Sequence, residues 1–183
     1  MVAAGSGHVK VVELLLSSGV LVDCAKSEGW PALHFCCRSG PTAVAQPLIA
    51  AGADVNQPRE DGWTPLMDAA SDGRVEVVEL LLKSGARVYC TDSEGYTALD
   101  FCCRHQGHAA VARRLIAAGA DVNRVNHYAW MPLMYAAHGG HLELVQLLLD
   151  RGADATVVNV YGSTALLVAM ETKKYDSGCQ ALH

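Results

Sequence analysis

Cysteine and histidine are the side chains in this sequence that could support chemistry, since thiolates and imidazoles act as nucleophiles and as metal ligands. The 183 residues include seven cysteines and eight histidines. Four cysteines form two adjacent pairs, Cys36-Cys37 and Cys102-Cys103, and no two cysteines have the C-x₂-C spacing of a zinc site. Because adjacent residues on a helix point in different directions, neither pair predicts a shared metal.

A repeat in the sequence explains the cysteines better. Both pairs stand where other repeats have Ala69-Ala70 and Ala136-Ala137, and a free cysteine behaves as a small apolar side chain. Cys24 and Cys90 recur at equivalent positions, whereas Cys179 is alone. We interpret six of the seven as structural. With no export signal in the chain, unpaired cysteines favour a reducing compartment, the cytoplasm or the nucleus.

The histidines show no catalytic arrangement. Three follow a glycine at the start of a predicted helix, and three lie on or near turns: His8, His108 and His141, then His105, His127 and His138. None is paired with a nucleophile, so a catalytic role is not expected. The sequence therefore predicts a chain that is not an enzyme and needs no cofactor and no metal.

The elements that position these residues recur at a fixed period. The segment Gly62–Ala86 predicts turn, helix, turn, helix and turn, with Thr64 as an N-cap, Pro65 at the first helical position and Gly85 after the second helix. Leucine recurs at 33, 66, 99, 133 and 166, in steps of 33, 33, 34 and 33. Short helix pairs that repeat in this way predict a solenoid, because no pair buries its apolar stripe alone.

These segments resemble the ankyrin repeat family, most clearly in GWTPLMDAA (Gly62–Ala70), AAGADVN (Ala50–Asn56 and Ala117–Asn123) and Met131–Asp154. The resemblance covers essentially all of the chain. It implies an all-α ankyrin-repeat solenoid of paired antiparallel helices with short β-hairpin-like fingers. The expected units are a partial repeat 1–25, repeats 26–58, 59–91, 92–125 and 126–158, and a partial repeat 159–183. Because both ends fall inside a repeat, we expect the chain to be part of a larger protein.

The composition and the net charge limit the classes of molecule that the chain is expected to bind. The formal charge is −5 and the isoelectric point is about 5.9, which disfavours nucleic acid because its binding needs a basic surface. No apolar run approaches the roughly 20 residues of a membrane span. A protein or peptide partner is therefore expected, with neither nucleic acid nor membrane.

Aromatic residues mark the candidate binding surface. In the family, the residue after each finger glycine projects toward the concave face; here it is Trp30, Trp63 and Tyr96, with Trp130 after Ala129. One interpretation is that these rings pack on neighbouring fingers and stiffen them. The favoured interpretation is an aromatic ladder for recognition, because Trp and Tyr are enriched at binding hot spots.

Charged and polar residues flank this row. The candidates just before the finger glycines are Glu28, Glu60, Asp61, Glu94 and Tyr128, and those at the ends of the first helices are Arg38, Ser71, Asp72, Arg104, His105 and His138. The leading hypothesis is a non-catalytic module that binds an extended peptide or a folded partner. Two alternatives remain: the substrate-recognition region of a larger modifying enzyme or ubiquitin ligase, and a reader of methylated lysine, since tryptophans with acidic neighbours suit an alkylammonium ion.

Asn56 and Asn123 form a separate candidate site. Each has a leucine eight residues earlier and an aspartate two residues earlier. This pattern resembles the sites that an asparaginyl hydroxylase modifies on ankyrin repeats. The alternative, which we favour, is that each asparagine stabilises its turn.

Overall fold

The computed structural model describes residues 8–23, 30–104 and 106–170. The described residues form ten α-helices, which occur in the order α1 Val9–Ser17, α2 Ala32–Ser39, α3 Thr42–Ala50, α4 Pro65–Ser71, α5 Val75–Lys83, α6 Ala98–Arg104, α7 Ala109–Ala117, α8 Pro132–His138, α9 Leu142–Asp150 and α10 Ala165–Met170. These parts of the chain contain no β-strand. The all-α prediction is therefore confirmed, whereas the β-hairpin-like form of the fingers is not.

The helices stack in two layers. The inner helices α2, α4, α6, α8 and α10 pack on one another in chain order, and the outer helices α1, α3, α5, α7 and α9 do the same. Each inner helix from α2 to α8 also packs against the outer helix that follows it. Contacts therefore run between neighbouring repeats, as a solenoid requires.

Local sequence signals set the helix boundaries as expected. The Thr64 hydroxyl accepts a hydrogen bond from the Met67 backbone N–H at 3.4 Å, and Pro65 occupies the first turn of α4. Gly85, after α5, has a φ of 90°. This left-handed conformation costs a glycine little, because it has no Cβ.

The inner layer is packed through small side chains. Cys36, Cys37, Cys102 and Cys103 are fully buried in the same core cluster as Ala69 and Ala70. Burial raises the pKa of the Cys36 thiol to about 12, so this thiol carries almost no reactive thiolate near neutral pH. This supports the structural interpretation of the two pairs. Cys24 and Cys179 lie outside the described residues.

The fingers are tight turns between an outer helix and the next inner helix. The backbone N–H groups of Asp92 and Asn126 donate to the carbonyls of Tyr96 and Trp130, at 3.0 and 2.9 Å. Successive fingers are also joined, since His127 N–H donates to the Glu94 carbonyl at 3.1 Å. The described fingers, from Arg59 to Ser163, therefore form one hydrogen-bonded edge of the solenoid.

Candidate functional site

The four finger aromatics differ in exposure. Trp30 and Trp63 are half-buried, whereas Tyr96 is 7% exposed and Trp130 is 3% exposed. Tyr96 and Trp130 therefore lie in the core, whereas an aromatic ladder for recognition would need them exposed. The physical reason is the inner helix beneath them, which presents Phe101 and Tyr135 at the slot where α4 has Asp68.

These inner-helix rings extend the row into a continuous stack. Trp63 lies 4.0 Å from Phe101 between ring centroids, and Tyr96 lies 5.5 Å from the same ring. Tyr135 stacks on Trp130 at 4.9 Å and contacts Tyr96 at 5.8 Å. Aromatic pairs at such separations add stability beyond their buried area. The row thus contributes to packing between repeats.

Arg59 links the first two rings. Its guanidinium carbon lies 4.0 Å from the Trp30 ring centroid and 4.8 Å from that of Trp63. The same guanidinium forms ion pairs with Asp61 at 2.9 Å and with Asp68 at 3.6 Å. Although it carries a charge, Arg59 is 9% exposed. Arg59 therefore links the finger of Trp30 to the finger of Trp63.

Sequence reasoning missed Arg59, although a signal was present. The equivalent positions in later fingers are Asp92, Asn126 and Asn159, whose side-chain oxygens accept hydrogen bonds from backbone N–H groups of the turn. In the finger that begins at Arg59, Asp61 supplies this acceptor to the Trp63 N–H at 3.0 Å. A basic residue in a slot that holds Asp or Asn in the three later fingers was the signal.

Below Arg59, a buried polar pair joins two inner helices. The Nδ1 atom of His34 lies 2.5 Å from a carboxylate oxygen of Asp68, and its Nε2 atom lies 2.9 Å from the Gln57 carbonyl oxygen. His34 matches the histidine of the ankyrin T-P-L-H motif, for which the resemblance implies a hydrogen bond between repeats. One connected network joins His34, Asp68 and Arg59. The charged groups of this region are therefore largely paired with other groups of the protein.

A groove of about 680 Å³ opens beside the stack. We call it the central groove; it is lined by Trp30, Arg38, Arg59, Asp61, Trp63, Asp68, Ser71, Asp72, Asp92, Ser93, Glu94, Tyr96, Phe101 and Arg104. Trp30 and Trp63 supply its apolar wall. Several sequence-predicted candidates, from three successive repeats, therefore meet in one place.

Two carboxylates of the groove are incompletely compensated. Desolvation raises the pKa of Asp72, although the charge of Arg38 opposes this shift. Desolvation also raises the pKa of Asp92, despite hydrogen bonds from the backbone of Tyr96 and Glu94. Both carboxylates would be stabilised by a cation brought into the groove.

The remaining predicted residues lie along the fingers and helix ends. Glu60 is exposed, and His138 meets the Trp130 ring edge-on at 6.2 Å between centroids. Tyr128 donates its hydroxyl proton to Glu94 at 2.7 Å, a bond that raises the pKa of Tyr128 to about 12. Glu28 and His105 lie outside the described residues.

Asn56 and Asn123 have matching environments at the start of turns that lie two repeats apart. The Asn56 amide donates to the Gly85 carbonyl at 3.1 Å, and its oxygen accepts from the Arg87 N–H at 2.8 Å. Asn123 makes the same two bonds with the next repeat. Each asparagine therefore bridges two repeats.

A scan against protein-family models matches Ankyrin repeats in three copies, at residues 1–59, 43–126 and 107–182. The chain belongs to the ankyrin repeat family. Ankyrin repeats generally mediate protein–protein interaction and are generally non-catalytic. A comparison with curated protein sequences found no match.

The residues that the structure describes contain neither a metal-binding cluster nor a membrane-spanning helix. No group of three or more His, Cys, Asp or Glu side chains in this part of the chain is placed to hold a metal ion. None of the helices in the same residues is long and apolar enough to cross a membrane.

Proposed function

We propose that this ankyrin-repeat chain is a non-catalytic interaction module, in the cytoplasm or the nucleus, that binds a protein segment in the central groove. The main support for this function is that Trp30 and Trp63 stay half-exposed beside a groove of about 680 Å³. Tryptophan is enriched at binding hot spots, where the partner buries it.

In this proposal, the four aromatic residues of the ladder have two different roles. Trp30 and Trp63 contact the partner, whereas the buried Tyr96 and Trp130 hold the fingers in position. Truncating Trp63 should weaken binding by about 2–4 kcal/mol, as for a hot spot. It should also destabilise the fold, because Trp63 contacts both Arg59 and Phe101.

A methylated-lysine reader has less support. The aromatic pair that would form an alkylammonium cage is Trp30 and Trp63, with Asp61 as the neighbouring carboxylate. Arg59 already lies over both rings and pairs with that carboxylate. A methylated lysine would have to displace this bound guanidinium, which costs the buried contacts of Arg59.

Selection of displayed peptides on the immobilised chain, followed by titration calorimetry, tests the proposal. Arg38 and Asp72 are exposed, so Arg38→Ala and Asp72→Ala should leave the fold intact. We expect a selected peptide to lose about tenfold in affinity for the double variant, since charge pairs at exposed sites contribute up to about 1 kcal/mol each.

The control is Arg113→Ala. Arg113 is 50% exposed on outer helix α7 and pairs with Glu143, away from the groove. The proposal requires this variant to bind the peptide as the wild type does. Unchanged affinity in the Arg38→Ala, Asp72→Ala double variant and in Trp63→Phe would rule out the central groove as the binding surface.

A further inference from the structure

The side chain of Arg59 is held by its neighbours in the way that a binding site holds a ligand. Its guanidinium carbon lies 4.0 Å and 4.8 Å from the ring centroids of Trp30 and Trp63. Its Nε and Nη2 groups donate to the two oxygens of the Asp61 carboxylate at 3.3 and 2.9 Å, and Nη1 lies 3.6 Å from Asp68. Aromatic faces and bidentate carboxylates are the groups with which proteins recognise a guanidinium.

These four neighbours form a unit that we call the cation cage: Trp30, Trp63, Asp61 and Asp68. We propose that the cation cage is a guanidinium-binding site, that Arg59 occupies it as an internal ligand, and that this contact keeps the site closed to cations from outside. Arg59 and all four cage residues line the central groove, so the site opens onto it.

The finger that begins at Arg59 does not need this side chain to form its turn. The Arg59 backbone N–H donates to the Trp63 carbonyl at 2.8 Å, and the Arg59 carbonyl accepts from the Gly62 N–H at 3.0 Å. The side-chain acceptor of the turn is Asp61, which takes the Trp63 N–H at 3.0 Å. The three later fingers have Asp or Asn at this position. Turn formation therefore does not explain the arginine, whereas occupation of the cage does.

Both tryptophans of the cage also pack on phenylalanine rings. The centroid of the Trp63 ring lies 4.0 Å from that of Phe101, and the centroid of the Trp30 ring lies 5.3 Å from that of Phe35. Aromatic pairs at these separations stabilise each other beyond their buried area. The two indole walls should therefore keep their places when the Arg59 side chain is removed.

The two carboxylates of the cage are held by other groups as well. Asp68 is buried, and its Oδ2 atom lies 2.5 Å from the Nδ1 atom of His34. Asp61 is fixed by its bond to the Trp63 backbone, and its side chain is 52% exposed. A guanidinium that entered from the groove would thus meet one buried and one accessible carboxylate. Because such a site is preformed, little ordering free energy opposes binding.

Arginine is the external side chain for which exchange with Arg59 costs least. An incoming arginine would regain the contacts of Arg59, since it has the same planar fork, whereas a lysine ammonium cannot bind Asp61 in a bidentate way. It must overcome the high effective concentration of Arg59, which the backbone holds beside the cage. A free arginine derivative should therefore bind the wild type weakly. An arginine of a segment already bound in the groove competes better, a role that rests on the proposed function.

Arg38 is a second cation on the same ring. Its guanidinium carbon lies 5.7 Å from the Trp30 centroid, farther than that of Arg59, and it forms no ion pair with Asp61 or Asp68. Because Arg38 would be an alternative internal ligand for an emptied cage, the test includes a variant that lacks both arginines.

Capped amino-acid amides test the cage without a partner. The probe is N-acetylargininamide; N-acetylcitrullinamide has the same shape without the charge, and N-acetyllysinamide has the charge without the fork. In a heteronuclear NMR titration, the indole N–H signals of Trp30 and Trp63 report binding, and that of the buried Trp130 is the internal control. We expect Arg59→Ala to bind the arginine amide about tenfold more tightly than the wild type does, because the internal competitor is gone. It should bind both other amides more weakly.

Further variants separate the cage from binding elsewhere. Arg59→Lys keeps a cation in place and should bind the arginine amide with intermediate affinity. Arg113→Ala removes an arginine from the exposed surface of α7 and should behave as the wild type does. Adding Asp61→Asn to Arg59→Ala keeps a side-chain oxygen for the turn but removes the charge. This change should weaken binding about threefold, as expected for an ion pair with a half-exposed partner.

The loss of stability in Arg59→Ala gives a second readout. The arginine amide should raise the urea midpoint of this variant more than that of the wild type, because a ligand that binds the folded state stabilises it. The citrulline amide should not. If Arg59→Ala is unfolded in buffer, the arginine amide should restore its native tryptophan fluorescence, and Arg59→Lys then carries the comparison of affinities with the wild type.

Three results would overturn the proposal. One is the absence of saturable shifts of Trp30 and Trp63 both in Arg59→Ala and in the variant that also carries Arg38→Ala. The others are equal affinities of the arginine and citrulline amides, and equal affinities of the wild type and the Arg59 variants for the arginine amide. None of them affects the proposed function, which display-selected peptides test through the double variant at Arg38 and Asp72 and through Trp63→Phe.

Discussion

The guanidinium carbon of Arg59 lies 4.0 Å from the centroid of the Trp30 ring. This contact joins two successive repeats at their fingers, and ion pairs with Asp61 and Asp68 hold the guanidinium there. A planar, weakly hydrated cation suits this position, because it can stack on rings and bind carboxylates at the same time.

Replacing Arg59 should destabilise the fold. Arg59→Ala removes the guanidinium that pairs with Asp68 and its contact to both tryptophans, so we expect a loss of about 2–4 kcal/mol in the free energy of unfolding. Arg59→Lys should recover only part of it, since an ammonium does not stack as a planar group. Urea unfolding measures both. Arg113→Ala, which breaks an exposed pair, should cost less than about 1 kcal/mol. Equal costs for Arg59→Ala and Arg113→Ala would contradict the role of Arg59.

Asp100 should make stability depend on pH. This fully buried carboxyl accepts bonds from the Thr97 N–H and hydroxyl at 2.8 and 2.7 Å, while its other oxygen is buried without a hydrogen-bond partner among the described residues. Desolvation raises the pKa of Asp100 to about 7. The folded state therefore holds a proton that the unfolded chain releases near pH 4.

The direction of the pH dependence of stability follows from this difference in proton binding between the folded and the unfolded state. The contribution of Asp100 is fully present below about pH 4 and is lost as the pH rises through about 7, by up to about 4 kcal/mol. Asp100→Asn should remove that part of the decline, as measured by urea unfolding at pH 5 and pH 8. Glu76→Gln, at an exposed site, should not. An identical pH dependence in wild type and Asp100→Asn would show that Asp100 does not titrate in this range.

Ala129 should carry backbone strain. It is the only described residue other than glycine with a positive φ, at 55°, and it replaces the glycine found in the other described fingers. The left-handed conformation costs a residue with a Cβ roughly 1–2 kcal/mol, partly offset by the greater freedom of an unfolded glycine. Ala129→Gly should therefore raise the free energy of unfolding by up to about 1 kcal/mol.

The reverse change in the preceding finger is the matched control. A Cβ at Gly95 would lie 3.2 Å from the Asn126 Cα, in a backbone with a φ of 86°. Gly95→Ala should lower stability in the same unfolding assay. If Ala129→Gly also lowers it, the strain at Ala129 is compensated by contacts of its methyl group.

Hydroxylation of Asn56 and Asn123 stays a prediction. The hydroxylation hypothesis requires that co-expression with an asparaginyl hydroxylase add the mass of one oxygen atom to peptides that contain either residue. Asn159 is buried in a finger turn, and its oxygen accepts two backbone hydrogen bonds, so it should stay unmodified. Peptide mass spectrometry measures this modification. If Asn56 and Asn123 stay unmodified, the turn-stabilising role is the one that remains for them.

The repeat period made most of the fold predictable. Leu33 and its equivalents mark the inner helices, and glycines such as Gly85 mark the ends of the outer helices, because packing and backbone sterics act within a few residues. The site was less predictable, since Arg59 meets Trp30 across a repeat boundary and Tyr96 is buried by Tyr135 of the next repeat. The spacing of residues in the sequence predicts which of them lie on the same edge of the solenoid. It does not predict which of them stay exposed, because that depends on side-chain packing.

The indole N–H signals of the three tryptophans report directly on binding in the central groove. In a heteronuclear NMR titration with a display-selected peptide, Trp30 and Trp63 report on the groove wall, and the buried Trp130 serves as an internal control. We expect large shifts for Trp30 and Trp63 at saturation and the smallest shift for Trp130. Saturating binding that leaves the signals of Trp30 and Trp63 in place would contradict binding in the central groove.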